Sequence, residues 1–122
     1  MQDNNILKQQ FGGIVFFQTK IQTELYQFYA NKVGCKLWLD QGGCQIYKFG
    51  NMLFGFCQRD KVDNLGMITF FYESKEEVDA MYQNFKDIAL AEPKDNPLYR
   101  IYHFYAKDPE GRNIEFQYFW DN

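Results

Sequence analysis

The chain has 122 residues, of which 46% are hydrophobic and 24% charged, a size typical of one compact domain or of two small modules that share a core. Thirteen Lys and Arg against sixteen Asp and Glu give a formal net charge of −3, so no basic field exists to hold a phosphate backbone, and we expect no nucleic-acid partner. Aromatic residues make up 20% of the chain, more than a small core requires.

Membrane and export signals are not expected. No apolar run approaches the roughly 18 residues that cross a bilayer. The first residues, MQDNN, lack the basic start and apolar stretch of a signal peptide. We therefore expect a soluble, cytoplasmic protein with no membrane partner, and a flexible polar N-terminus over residues 1–10.

The three cysteines are Cys35, Cys44 and Cys57, with spacings of nine and thirteen. These spacings match neither a paired disulfide framework nor a CxxC metal knuckle, so we expect buried free thiols in a reducing compartment. The alternative is a nucleophilic Cys57 activated by His103, which is the only histidine.

The first half of the chain predicts a strand, a helix and three more strands. Apolar and β-branched residues predict a strand over residues 13–19. An apolar stripe at three- and four-residue steps predicts an amphipathic helix over residues 21–33, ended by a left-handed Gly34. The predicted extended segments that follow are Lys36–Asp40, Cys44–Phe49 and Met52–Gln58, separated by turns at Gln41-Gly42-Gly43 and Gly50-Asn51.

After a polar linker over residues 59–64 the same order begins again. Met67–Tyr72 reads as a strand, and Ser74 with Glu77 forms a capping box before an apolar helical stripe that runs to Ile88. Residues 91–98 contain two prolines and predict only a short edge strand or loop. Two closing strands, over residues 99–106 and 113–120, are joined by a tight turn at residues 108–111.

The order β-α-β-β-β therefore occurs twice. Residues 13–17 (GIVFF) align with residues 66–70 (GMITF), and Gly55-Phe56 aligns with Glu115-Phe116. Repetition on this scale implies that neither copy buries its sheet face alone. We predict one domain over residues 11–122, made of module 1 (11–60) and module 2 (65–120).

The segment KDPEGRNIEF, residues 107–116, resembles the Asp-Pro-x-Gly turn and final strand of the vicinal oxygen chelate superfamily. That superfamily includes glyoxalase I, bleomycin-resistance and fosfomycin-resistance proteins, and extradiol dioxygenases. Residues 25–29 (LYQFY), followed by Gly34, are similar to the end of the first helix in many members. The resemblance implies an α+β fold in which two tandem βαβββ modules form a curved mixed sheet around a concave cavity.

In metal-dependent members, four side chains from the first and last strands of the two modules bind a divalent ion. The resemblance places these positions at Ile14, Gly55, Met67 and Glu115. One carboxylate beside three residues without donor atoms suited to a hard ion cannot hold it. The resemblance thus implies the fold without the metal, and we expect no cofactor. The alternative is an improvised metal site of His103, Glu115 and Gln18.

Strand alternation places His103 and Tyr105 on one face of the penultimate strand, and Glu115 and Gln117 on one face of the last. By resemblance to the fosfomycin-resistance branch, these faces look into the cavity. The catalytic candidates are Glu115, His103 and Tyr105. The ligand-binding candidates are Phe16, Gln18, Trp38, Leu53, Cys57, Met67, Gln117 and Phe119.

Three functions follow from these candidates. The first is binding of a small planar or cationic molecule by the aromatic side chains, with Glu115 paired to a ligand cation. The second is a glyoxalase-like lyase, isomerase or dioxygenase-type enzyme that uses Glu115 and His103 as an acid/base pair or as an atypical metal site. The third is a dimerising domain, and the resemblance implies a homodimer in each case.

Overall fold

Each half of the chain folds in the order strand, helix, strand, strand, strand. The computed structural model describes residues 12–120, and the chain divides into two units between Asn64 and Leu65. The predicted flexible segment 1–10 lies outside the described residues. The duplicated order confirms the α+β fold with two βαβββ modules. None of the helices within residues 12–120 is long and apolar enough to cross a membrane.

The first unit is a four-stranded mixed sheet with one helical segment. Its elements are β1 (Val15–Thr19), helix α1 (Gln22–Tyr26) with a π-helical continuation (Gln27–Val33), β2 (Lys36–Asp40), β3 (Cys44–Phe49) and β4 (Met52–Gln58). The strand order is β1-β4-β3-β2, with β1 parallel to β4 and the other pairs antiparallel. The bounds of β2, β3 and β4 are those predicted from the turn signals.

The predicted α-helix over residues 21–33 changes its winding after Tyr26. The N–H of Gly34 donates to the carbonyl of Tyr29, five residues earlier, at 3.2 Å, which is the hydrogen-bond step of a π-helix. Gly34 takes the expected left-handed conformation at φ 96°. The predicted stripe is buried as expected at Leu25, Phe28, Tyr29 and Val33.

The buried side of the first sheet is an aromatic cluster around Tyr29. This ring stacks on Phe56 at a centroid distance of 5.0 Å and meets Phe54 edge-on at 5.4 Å. Tyr47, on β3, joins the same cluster, and all four side chains are almost completely buried. Because these residues alternate along their strands, the residues between them, such as Gly55, face the opposite side of the sheet.

The second unit repeats the arrangement with a regular α-helix. Its elements are β5 (Met67–Tyr72), α2 (Lys75–Phe85), β6 (Lys94–Asn96), β7 (Ile101–Lys107) and β8 (Asn113–Phe119). The strand order is β5-β8-β7-β6, with β5 parallel to β8. The short β6 is the edge strand allowed by the two prolines of residues 91–98.

The predicted capping box begins α2. The Ser74 hydroxyl accepts a hydrogen bond from the Glu77 N–H at 3.2 Å. The Glu77 carboxylate reaches back to the N–H of Glu73 at 3.2 Å and also accepts from the Ser74 hydroxyl at 3.0 Å. Amide donors at the start of the helix are thus satisfied, which fixes where the helix begins.

The core of the second unit centres on Phe116. Its ring lies 4.8 Å from Phe85 of α2, 4.9 Å from Phe104 of β7 and 5.5 Å from Phe70 of β5. Helix α2 therefore covers this face of the sheet. The other face carries the alternate residues of β7 and β8, where the catalytic candidates lie.

The turn between β7 and β8 is held by a buried ion pair. The Asp108 carboxylate accepts hydrogen bonds from the N–H of Glu110 at 2.8 Å and of Arg112 at 3.0 Å. The Arg112 guanidinium donates to Asp108 at 3.0 Å and to Glu110 at 2.9 Å, and both the Asp108 and the Arg112 side chains are buried. The Asp-Pro-x-Gly motif thus fixes the register in which Tyr105 faces Glu115.

Candidate functional site

A cavity of about 390 Å³ lies on the face of the second sheet that α2 leaves open. Three alternate cross-strand pairs of β7 and β8 supply six of its lining residues: Ile101 and Phe119, His103 and Gln117, and Tyr105 and Glu115. Asn96 and Tyr99 complete the lining. Five sequence candidates, His103, Tyr105, Glu115, Gln117 and Phe119, are therefore brought together on one surface.

Glu115 and His103 form a buried hydrogen-bonded pair in this cavity. His103 Nδ1 lies 2.7 Å from Glu115 Oε2, and both side chains are at least nine-tenths buried. Thr69, opposite Glu115 on the parallel strand β5, donates its hydroxyl proton to Oε1 at 2.8 Å. An ionised carboxylate can only accept, so the pair requires the proton on Nδ1 and leaves Nε2 as the ring nitrogen not engaged by Glu115.

Tyr105 lies at the side of this pair. Its ring meets the His103 ring edge-on at a centroid distance of 4.9 Å. Desolvation, and then the charge of Glu115, raise the pKa of the Tyr105 hydroxyl above its ordinary value of 10.0. Tyr105 therefore stays protonated at neutral pH, which favours a role as a hydrogen-bond donor over that of a proton donor.

The lining combines aromatic surface with acceptor groups. Tyr99, Tyr105 and Phe119 are exposed, at 70%, 38% and 40% of their surface, so their rings are accessible to a ligand. Within residues 12–120, the side chains that line the cavity include the Glu115 carboxylate and no Lys or Arg. This composition favours a cationic or donor-rich ligand over an anion.

The first unit has no counterpart of the Glu115 site at the equivalent register. Gly55 takes the position of Glu115, and its parallel neighbour Phe16 takes the position of Thr69. The Phe16 ring lies over this glycine, so a Cβ atom added to Gly55 would be only 2.8 Å from Phe16 Cε1. The aromatic candidate Phe16 thus fills the space in which the first unit would hold a carboxylate.

The prediction of three free thiols is wrong. Cys44 and Cys57 face each other across β3 and β4 and are joined by a disulfide with a Cα–Cα distance of 4.0 Å. Cys57 therefore has no thiolate to act as a nucleophile beside His103. Only Cys35, of the cysteines, is free, and it is buried. The predicted hairpin turn at Gly50-Asn51 already places Cys44 opposite Cys57, a signal that spacing rules alone miss.

The remaining candidates are not among the residues that line the cavity. Gln18, Trp38 and Leu53 belong to β1, β2 and β4 of the first unit, where the Gln18 amide donates to Asp63 at 3.3 Å. Met67 lies on β5, on the same face as Thr69, and is half exposed. These four residues stay predictions.

Sequence reasoning missed three residues that line the cavity, Asn96, Tyr99 and Ile101, and also Thr69, whose hydroxyl holds the Glu115 carboxylate. Thr69 and Ile101 follow from strand alternation, since they share faces with Met67 and with His103. Asn96 and Tyr99 come from β6 and the loop after it, where the sequence has no periodic signal.

A divalent ion fits these residues poorly. No group of three or more His, Cys, Asp and Glu side chains lies together in the described part of the chain. Both carboxylate oxygens of Glu115 already accept hydrogen bonds, from His103 and from Thr69. The side-chain amide of the predicted third ligand, Gln18, donates to Asp63 at 3.3 Å.

Solved structures with this fold are numerous. The chain is 20% identical to a glyoxalase/bleomycin resistance protein/dioxygenase from Alicyclobacillus acidocaldarius, over 92% of this chain and 93% of that one, with a TM-score of 0.73. It is 18% identical to a lactoylglutathione lyase from Agrobacterium tumefaciens, over 90% and 94% of the two chains, with a TM-score of 0.71. An integron cassette protein from the mobile metagenome of the Halifax Harbour sewage outfall covers 90% of this chain and 99% of its own, at 16% identity and a TM-score of 0.74.

The sequence matches no protein-family model and no curated protein. The solved structures confirm the fold that the resemblance in residues 107–116 implies. The chain has the fold of the glyoxalase/bleomycin resistance/dioxygenase proteins.

Proposed function

We propose that this protein binds a small molecule with aromatic surface and a positive charge or hydrogen-bond donors, in the cavity of the second unit and without a catalytic divalent metal. The observation that carries the proposal is the buried Glu115 carboxylate beneath accessible aromatic rings, in a lining whose described members include no Lys or Arg. Ring stacking and cation–π contacts each contribute about 0.5–2 kcal/mol. A few such contacts with one charge-assisted hydrogen bond support micromolar affinity.

The test is a thermal-shift screen of matched cationic, neutral and anionic aromatic compounds, followed by calorimetric titration of the hits. We expect saturable binding of cationic compounds, weakened about 10- to 100-fold by Glu115→Gln, because a hydrogen bond to a charged group is worth about 1.5–3 kcal/mol. Glu76→Gln, which removes an exposed carboxylate on α2, is the matched control and should leave the affinity unchanged. Equal affinity in Glu115→Gln would contradict the proposal.

A second candidate is an enzyme that moves a proton, as a lyase or isomerase does. The 2.7 Å contact between His103 Nδ1 and Glu115 favours it, because an imidazole oriented by a carboxylate through one nitrogen can act as a base through the other. Wash-in of solvent deuterium at carbon atoms next to carbonyl groups, measured by NMR on small carbonyl compounds and on glutathione hemithioacetals, tests this function. If the wild type incorporates deuterium and both His103→Gln and Glu115→Gln do not, proton transfer replaces simple binding as the function.

The dioxygenase-type alternative needs a metal site at Glu115 and His103. Titration with Fe²⁺, Ni²⁺ and Zn²⁺, followed by metal analysis after desalting, decides between it and the metal-free proposal. Retention of one ion by the wild type, but not by Glu115→Gln, would overturn the metal-free proposal. Retention by neither protein is the expected result.

A homodimer in the cytoplasm remains part of the proposal. Strands β1 and β5 are each an edge strand of their own sheet. Half-exposed apolar side chains on these strands, Phe16 on β1 and Met67 and Phe71 on β5, support association with a second copy. Light scattering after size-exclusion chromatography should give twice the chain mass of 14.6 kDa. A monomer at micromolar concentration would contradict it, and cell fractionation tests the compartment.

A further inference from the structure

The disulfide of the first unit lies where its bond can be reached without unfolding the sheet. Cys44 and Cys57 are directly opposite each other in the register of β3 and β4, and both residues are only partly buried. The neighbouring residue Phe56 packs on Tyr29 beneath the sheet. Because successive side chains alternate, the Cys57 sulfur lies on the opposite face, the one the helix does not cover.

Backbone hydrogen bonds of the sheet also hold the two cysteines opposite each other. Strand β3 pairs with β2 and β4, and β4 pairs with β1 and β3, so each strand has a hydrogen-bonded neighbour on both sides. The turn at Gly50, with φ 58°, already closes the hairpin between them. The backbone ladder therefore maintains the pairing of Cys44 with Cys57 when the S–S bond is broken.

The third cysteine, Cys35, cannot take part in thiol–disulfide exchange. Cys35 is buried, and its desolvation raises the pKa of the thiol to about 12. Thiol–disulfide exchange requires a thiolate, so Cys35 stays inert near neutral pH. Any exchange on this chain is confined to the Cys44–Cys57 pair.

We propose that Cys44 and Cys57 form a redox-active thiol–disulfide site whose substrates are dithiols, either small molecules or the active-site dithiol of a protein reductase. This function is separate from ligand binding in the second unit. The disulfide occupies the register position at which the second unit carries His103 and Gln117, so the two units present different chemistry at the same place in the repeat.

The exchange proceeds in two steps. A thiolate of the dithiol attacks one protein sulfur, which forms a mixed disulfide, breaks the Cys44–Cys57 bond and releases the other cysteine as a thiolate. The second thiol of the reductant, as its thiolate, then attacks the mixed disulfide and leaves as a cyclic disulfide. The reductant loses two electrons and two protons, and the protein gains them as two thiols. Oxidised glutathione, through the reverse exchange, restores the protein disulfide.

The experiment uses the full chain purified without reductant. Before alkylation, the intact mass of the chain should be lower by two hydrogen atoms than that of the fully reduced chain. After alkylation in denaturant, mass spectrometry should find one alkylated cysteine, Cys35. After brief treatment with dithiothreitol in native buffer, Cys44 and Cys57 should become alkylated while Cys35 does not. The circular dichroism spectrum should be unchanged, and oxidised glutathione should reverse the reaction.

Two outcomes would overturn the proposal. The first is that all three cysteines are alkylated before reduction and also after treatment with oxidised glutathione, which means that the disulfide does not form. The second is reduction only at the rate of global unfolding, measured on the same sample by hydrogen exchange, which means that the bond is structural.

Single-cysteine variants give an independent readout. Cys44→Ser and Cys57→Ser should each form a mixed disulfide with glutathione at the remaining cysteine, and Cys35→Ala should keep the full reversible reaction. If either serine variant fails to fold, the reduction of the wild-type chain still decides the question.

Discussion

The turn that joins β7 and β8 offers a quantitative test of how the second unit is built. Asp108→Ala removes the acceptor of the N–H groups of Glu110 and Arg112 and one partner of the buried Arg112 guanidinium. The guanidinium keeps its 2.9 Å contact with Glu110, so its charge is not left without any partner. The substitution therefore isolates the contribution of one carboxylate to this turn.

The expected loss of stability is large. Removing one partner from a buried ion pair costs about 3–5 kcal/mol. The remaining Glu110 contact places Asp108→Ala at the lower end, about 3–4 kcal/mol. With an unfolding entropy of roughly 2.1 cal/mol/K per residue over 122 residues, this loss lowers the Tm by about 12–16 °C.

The measurement is urea and thermal unfolding followed by circular dichroism. Lys107→Ala is the matched control, because the neighbouring Lys107 donates to Asn113, at 2.8 Å, in an exposed hydrogen bond. Its loss should stay within about 0.5 kcal/mol. If Asp108→Ala costs as little as Lys107→Ala, the buried ion pair does not hold the turn and the reasoning fails.

Three further substitutions or conditions test other parts of the structure. Gly55→Ala should lower the free energy of unfolding by about 1–2 kcal/mol, because the added methyl group overpacks against the Phe16 ring. In a double-mutant cycle, adding Phe16→Ala should recover part of that loss. If the two single-substitution losses simply add in the double variant, the contact between the two positions is contradicted. Burial raises the pKa of Cys35 from 9.0 to about 12, so the folded state holds the thiol proton more tightly than the unfolded state, and stability should fall as pH rises from 9.0 towards 12. A Cys35→Ala variant should lose that part of the pH dependence in denaturant titrations, and an unchanged profile would refute the assignment. Ser74→Ala should cost about 1 kcal/mol through loss of the α2 cap, whereas Ser74→Asp, measured beside it, should retain most of the stability.

Turn chemistry made the strands predictable. Gly50-Asn51 and the Asp108–Gly111 turn fix where each hairpin reverses, and the facing ends of β3 and β4 follow from the first of these turns. The π-helical winding after Tyr26 could not be predicted in the same way. Its apolar spacing also satisfies an α-helix, and the π-helical segment contains the buried residues Phe28, Tyr29 and Val33.

The candidate site was predictable as a face but not as a set of contacts. Alternation placed His103 with Tyr105 and Glu115 with Gln117 on their strands. The hydrogen bond from His103 to Glu115 is diagonal, since His103 lies directly opposite Gln117 in the register. Side-chain direction decides such a contact, and a sequence pattern carries no information on it.

The Phe16 ring over Gly55 links the effects of two positions in the first unit. A single substitution that places a carboxylate at position 55 would meet the ring, with a Cβ atom only 2.8 Å from Cε1, while loss of the ring alone would leave an empty space over a glycine. Each change costs less stability when the other is also present, so the effects of the two substitutions are coupled. A mutational route that introduces a second acidic site into this repeat must therefore pass through a less stable intermediate or change both residues together.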